Sequence, residues 1–163
     1  FLFYRDREAS TIVGRYIDEN TGRIRILDRA KLAQSSNRGA VHDLDELFGE
    51  VNETYFEGQV DARIAWGHEG HSSARCRTTI KLGSYTARER LIRIHPRLDQ
   101  TFVPRYFISF VVFHEMLHHV IPATRAGGRR VLHPPEFRTQ ERQFRHYERS
   151  IAWERANLDR LLG

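Results

Sequence analysis

Cysteine is almost missing, since Cys76 is the only one in 163 residues. That excludes an internal disulfide and any cysteine-rich structural zinc module within these residues, and it points to a reducing, cytoplasmic setting. Cys76 itself reads as a small core residue rather than a ligand or nucleophile. Long apolar runs are missing too. The stretch from Phe107 to Phe113 is interrupted by Ser109 and ends at His114, so no membrane span is expected. No signal peptide is visible, and with Phe1 rather than Met as first residue a trimmed chain is expected. Lysine is scarce: the 26 basic residues comprise 24 arginines and 2 lysines, for a net charge of +5. Arginine's planar fork suits phosphate and carboxylate, so an acidic partner is an open reading.

The length fits one domain that buries a continuous core without covalent staples. Residues 1–40 read as an extension. Thr11 to Ile17 and Arg23 to Leu27 alternate around the Asn20-Thr21-Gly22 turn as a β-hairpin, and Gln34 to Gly39 forms a linker into a main domain at 41–163. Val41 to Phe56 carries apolar residues at spacings of three and four, which predicts an amphipathic helix stopped near Gly58. Strands are expected at Arg63 to Trp66, Cys76 to Leu82 and Leu91 to His95, and the alternation in the middle one suggests a small antiparallel sheet. After Pro104 a helix apolar on all sides runs to about Ile121, where Pro122 ends it. Ala123 to Val131 reads as a glycine-containing loop, and Glu136 to Trp153 as an amphipathic helix laid over the core.

Inside the buried helix stand His114-Glu115-Met116-Leu117-His118. A shuffled chain of this composition would show this pattern about 0.04 times, so context has to carry it further. Histidines four apart on a helix form a two-point metal clamp, and Glu115 sits beside it with a free carboxylate that can take a proton from water. A catalytic zinc needs three protein ligands and one open position. The third candidate is His133, beyond the glycine loop, with Glu136 as runner-up unless it caps its helix. His119 points about 100° from His118 and is expected to bond elsewhere. The loop histidines His68 and His71 lack fixed spacing and read as surface residues.

Taken with their neighbours, these residues resemble the SprT-like zinc metallopeptidases, the family of Spartan-related protease domains. The likeness runs through Val51 to Gly58, Ile64-Ala65-Trp66-Gly67, Ile92 to Leu98, Val112 to His119 and His133-Pro134-Pro135-Glu136-Phe137, and spans roughly Val41 to Arg149. It implies that His114, His118 and His133 bind Zn2+ and that Glu115 is the general base and acid. The fold it implies is α+β: a zincin-like single domain with a small antiparallel sheet packed on the buried HExxH helix, further helices, and the N-terminal hairpin as an extension. Pro134 stands where the family usually has glycine, and no cysteine-rich ribbon occurs within these residues.

The expected function is zinc-dependent hydrolysis of peptide bonds in DNA-associated proteins, as in DNA-protein crosslink repair. Tyr85, His95, His119 and Arg129 are candidates to stabilise the carbonyl oxygen. The alternative is a nucleic-acid-binding module whose zinc is structural or vestigial. Its support is a basic stretch, Arg75, Arg77, Lys81, Arg88, Arg90, Arg93 and Arg97, with Glu89 as the one acid among them. The readings combine if that face holds DNA while a protein bound to the DNA is cut.

Overall fold

The computed structural model describes residues 37–67 and 80–162. The expected N-terminal hairpin, the loop histidines His68 and His71, Cys76, Arg75 and Arg77 lie outside the described residues. Helix α1, Leu44–Phe56, begins where Asp43 accepts hydrogen bonds from the Asp45 and Glu46 backbone N–H groups, which satisfies donors that a first turn leaves open. It ends at Glu57 and Gly58, both with positive φ (56° and 72°), the left-handed backbone that glycine adopts without strain. The Asn52 side chain then clamps the exit, donating to the Val60 carbonyl and accepting from its N–H.

Strands β1 (Arg63–Trp66), β2 (Gly83–Thr86) and β3 (Leu91–Ile94) form one sheet in the order β1-β3-β2. The expected antiparallel sheet is mixed, because β1 pairs parallel with β3 while β2 pairs antiparallel with it. A tight turn over residues 87–90, with Arg90 at φ 47°, joins β2 to β3 and places the last strand in the middle. Of the strand expected at Cys76 to Leu82, the described residues include 80–82 alone. Residues 80–82 are not extended into a strand, and pairing begins at Gly83. Side-chain alternation does not mark that start, because it depends on close approach to the helix beneath.

That helix, α2 (Arg105–Val120), packs against α1, β2, β3 and both later helices. Nine of its sixteen residues are buried, including Phe107, Ile108, Val112 and Met116. Burial on every side offsets the weak helix propensity of its β-branched and aromatic residues. Residues 123–131, expected as a loop, form a hairpin of β4 (Thr124–Ala126) and β5 (Arg129–Val131). Gly127 and Gly128, both at positive φ, supply its turn. Its strands of three residues carry no apolar alternation, so periodicity could not reveal them.

The single helix expected from Glu136 to Trp153 is two: α3 (Pro135–Glu141) and α4 (Tyr147–Leu162). Between them Phe144 turns into an aromatic cluster with Tyr55, Phe110 and Phe113, with ring centroids 5.3 to 5.5 Å away. The Arg145 N–H donates to the Tyr55 hydroxyl and fixes the corner. Among the described residues no helix is long and apolar enough to cross a membrane.

Residues Asn37 to His42 are held to this unit by polar contacts. Trp66 Nε1 donates to the Asn37 carbonyl, and Asp99 accepts from the Ala40, Val41 and His42 N–H groups. Burial raises the Asp99 pKa, yet the three N–H donors outweigh it and hold the carboxyl below its usual value. A depressed carboxyl stabilises the fold above its unfolded pKa and loses that contribution as pH falls through the folded value. Asp99→Ala should therefore cost about 1–3 kcal/mol near neutral pH. In urea unfolding at stepped pH, the gap from wild type should shrink below about 3.8.

Candidate metal centre

Helix α2 carries two residue pairs at a spacing of four, His114 with His118 and Glu115 with His119, and each pair lies about one turn apart on its own face. The chain returns after β5 to place His133 over the first pair. The ligand atoms of His114, His118 and His133 all lie within 4.8 Å of one another, and the Nε2 atoms of His118 and His133 are 3.1 Å apart. In a tetrahedral zinc site, ligand nitrogens stand about 3.3 Å apart, so this donor set fits such an ion.

The protonation states fit as well. Burial, followed by the neighbouring His114 and His133, lowers His118 to about 4, and burial also lowers His133. Both imidazoles are therefore held towards the neutral form that a metal requires. His114 Nδ1 is hydrogen-bonded to Glu141 Oε1 at 2.6 Å. That bond fixes the ring and leaves Nε2 for a metal, the outer-carboxylate arrangement common behind ligating histidines. Phe137, fully buried, supports all three rings, with centroids 5.0, 4.6 and 4.7 Å from those of His114, His118 and His133.

Glu115 lies beside the trio and is only 5% exposed. Burial raises its pKa, countered by His114, by Lys81 and by a hydrogen bond from the Tyr85 backbone N–H. Gly83 makes this fit possible, because a Cβ there would stand 2.7 Å from Glu115 Oε1. No real Cβ approaches so closely, so a side chain at residue 83 would displace the carboxylate. The whole group opens into a cavity of about 640 Å³. Its walls include Lys81, Tyr85, His119, Leu132 and Glu154.

A model of the SprT-like family matches residues 44–156, from the start of α1 into α4. The chain belongs to the SprT-like family. No curated protein and no solved structure matches it.

Within this SprT-like domain, the three predicted metal ligands and Glu115 come together. Glu136 does not join them; it is exposed in the first turn of α3. Of the four oxygen-stabilising candidates, Tyr85 and His119 line the cavity. His95 instead caps the short 3₁₀ turn Pro96–Leu98, accepting from the Arg97 N–H. Arg129 is exposed on the β4–β5 hairpin. The basic stretch is partly engaged: Arg90 pairs with Asp61, Arg93 with Glu89, and Arg97 donates to the Leu161 carbonyl. Lys81, counted with that face from sequence, lines the cavity instead.

Sequence reasoning missed Glu141, Phe137 and Gly83 as parts of the site. A signal existed for the first two: they stand four apart, so a short helix after His133 turns both towards the histidines. Gly83 carried no local signal, since its role depends on a carboxylate 32 residues away in the chain. Glu141→Gln should lower zinc affinity about 10- to 100-fold, read by competition with a chromogenic chelator. Unchanged affinity would show that this carboxylate does not support His114.

Proposed function

We propose that this SprT-like domain is a zinc-dependent metallopeptidase of the zincin type, a cytoplasmic enzyme that cuts proteins associated with DNA. The observation that carries the reading is the buried carboxylate of Glu115 beside three convergent imidazoles. A structural metal site has no use for such a group, because burial disfavours its charged form without return.

His114, His118 and His133 would hold the ion. Zinc, when bound there, supplies a Lewis acid that polarises the scissile carbonyl and brings the pKa of water towards ~7. Glu115 accepts the proton of the attacking water as the oxygen bonds to the carbonyl carbon. It then passes that proton to the amide nitrogen as the carbon–nitrogen bond breaks, and returns to the carboxylate. A carboxyl raised by burial suits both halves of this cycle, because its proton affinity moves towards the working pH. Tyr85 N–H and Lys81 keep the ionised form accessible at the start. A substrate strand can pair along β2, one of the two outer strands of its sheet among the described residues, where main-chain bonds need no particular sequence.

DNA as the recruiting partner is favoured by the β4–β5 hairpin. Arg125 and Arg130 stand directly opposite each other across it, and Arg129 opens β5 beside them. Facing like charges cost energy in a two-stranded ribbon unless an anion lies over them. The alternative, a nucleic-acid-binding module with a structural or vestigial zinc, shares this support but leaves Glu115 without a purpose.

Glu115→Gln should keep one zinc per chain while cleavage of a DNA-bound protein falls at least ~10²-fold. Equal cleavage by both forms would sink the enzyme reading. Gly83→Ala should show the same separation of zinc content from activity.

Binding to a labelled single strand should weaken as salt is added. Replacing Arg125, Arg129 and Arg130 together by alanine should flatten that dependence by about 0.7 in log–log slope for each phosphate that is no longer neutralised. An unchanged slope would remove the hairpin from the interface.

A further inference from the structure

A peptidase that uses Glu115 as its base still needs a fixed donor for the carbonyl oxygen as the double-bond electrons move onto it. Four side chains lining the cavity carry N–H or O–H donors beside the histidine trio: Lys81, Tyr85, His119 and Arg130. Lys81 and Arg130 are exposed on flexible stems, so each would have to be ordered at the moment of reaction. Tyr85 and His119 are already ordered. The Tyr85 hydroxyl and His119 Nδ1 are 2.8 Å apart, and the two rings meet edge to face at 5.5 Å.

The backbone explains why these two meet. His119 is four residues beyond Glu115 on α2, so both stand on the face next to the His114–His118 pair. Gly83 and Tyr85 are two apart on β2 and therefore share one face of the strand. Gly83 abuts the Glu115 side chain, and Tyr85 reaches both Glu115, through its backbone N–H, and His119, through its hydroxyl. One strand thus braces the base and the pair together.

Hydrogen counting then limits what the pair offers. If the tyrosine O–H donates to Nδ1, the imidazole carries its proton on Nε2 and that N–H is free to donate. If Nδ1–H donates to the phenol oxygen, the tyrosine O–H is the free donor. A neutral pair has one unspent donor in either arrangement. Resting on the peptidase reading above, we infer that Tyr85 and His119 act as one unit whose spare donor stabilises the carbonyl oxygen of the scissile bond during attack. The step balances within the reading already given: water oxygen bonds to carbon, the carbonyl electron pair moves to oxygen and is stabilised there, and the water proton goes to Glu115. The member that donates to the oxygen touches substrate, and the other is its positioning residue.

The test uses the zinc-loaded chain with Tyr85→Phe, which keeps the ring, and His119→Phe, which keeps a planar ring without nitrogen. Each should lower kcat about 10²- to 10³-fold, with KM and zinc content near wild type. His119→Gln, which retains an N–H donor, should recover part of the loss. A phosphinic peptide, whose tetrahedral oxygen copies the attacked carbonyl, should bind both Phe variants at least tenfold more weakly than wild type. A thiol peptide that only ligates zinc should bind all forms alike. Either Phe variant cleaving within threefold of wild type, or losing thiol-peptide and phosphinic-peptide affinity equally, overturns the inference. Those results leave the peptidase reading intact as long as Glu115→Gln is inactive. If wild type and Glu115→Gln do not differ, that reading is what fails, and phosphinic-peptide binding still scores the donor pair.

Discussion

Residues four apart on a helix lie one turn above each other, and α2 uses that spacing on two neighbouring faces at once. His114 and His118 present two imidazoles that could hold a metal ion, while Glu115 and His119 provide a carboxylate and an imidazole one step round the axis. The arrangement is rigid because α2 is packed by helices and by the sheet, so its rungs cannot rotate without opening the core. The remaining elements serve these two faces. The hairpin and α3 bring His133, Phe137 and Glu141 to the first, and β2 brings Gly83 and Tyr85 to the second.

The break between α3 and α4 follows from the same demand. Residues 133–141 turn a third imidazole, an aromatic support and a carboxylate towards the histidines, whereas residues from Tyr147 onward cover the first half of α2. Trp153 packs on Phe107 with centroids 4.3 Å apart, far along the helix from His118. One straight helix could not do both. Phe144 fills the corner and joins it to Tyr55 of α1, so the bend is itself part of the core.

Legibility in the sequence tracked the distance over which the deciding interaction acts. The limits of α2 and β1 were readable because proline, apolar composition and β-branched residues act within a turn or two. His114, Glu115 and His118 were readable for the same reason, and His133 followed from the ligand count. Residues 80–82 were expected to be strand, whereas β2 begins at Gly83, whose close approach to Glu115 across the fold leaves no local signal. The sheet was expected to be antiparallel because alternation describes which faces are covered and says nothing about which strand lies between the other two. The basic stretch looked uncompensated because Asp61 and the Leu161 carbonyl, which engage Arg90 and Arg97, lie outside it in the chain.

Burial acts in opposite directions on the two faces of α2. It favours the neutral form of His118, lowering it to about 4, and it favours the protonated form of Glu115. For His118 the consequence for stability has a definite sign. Between the usual value of 6.5 and about 4, the unfolded chain binds a proton that the folded chain refuses, so acid favours unfolding in that window. Near pH 7 neither state carries it and the cost vanishes. A divalent ion at the trio needs His118 unprotonated, and its positive charge favours an ionised Glu115 nearby. The protonation states that suit an ion and a base are therefore compatible at neutral pH, where the three neutral imidazole donors, not burial, would offset the cost of placing a positive charge here.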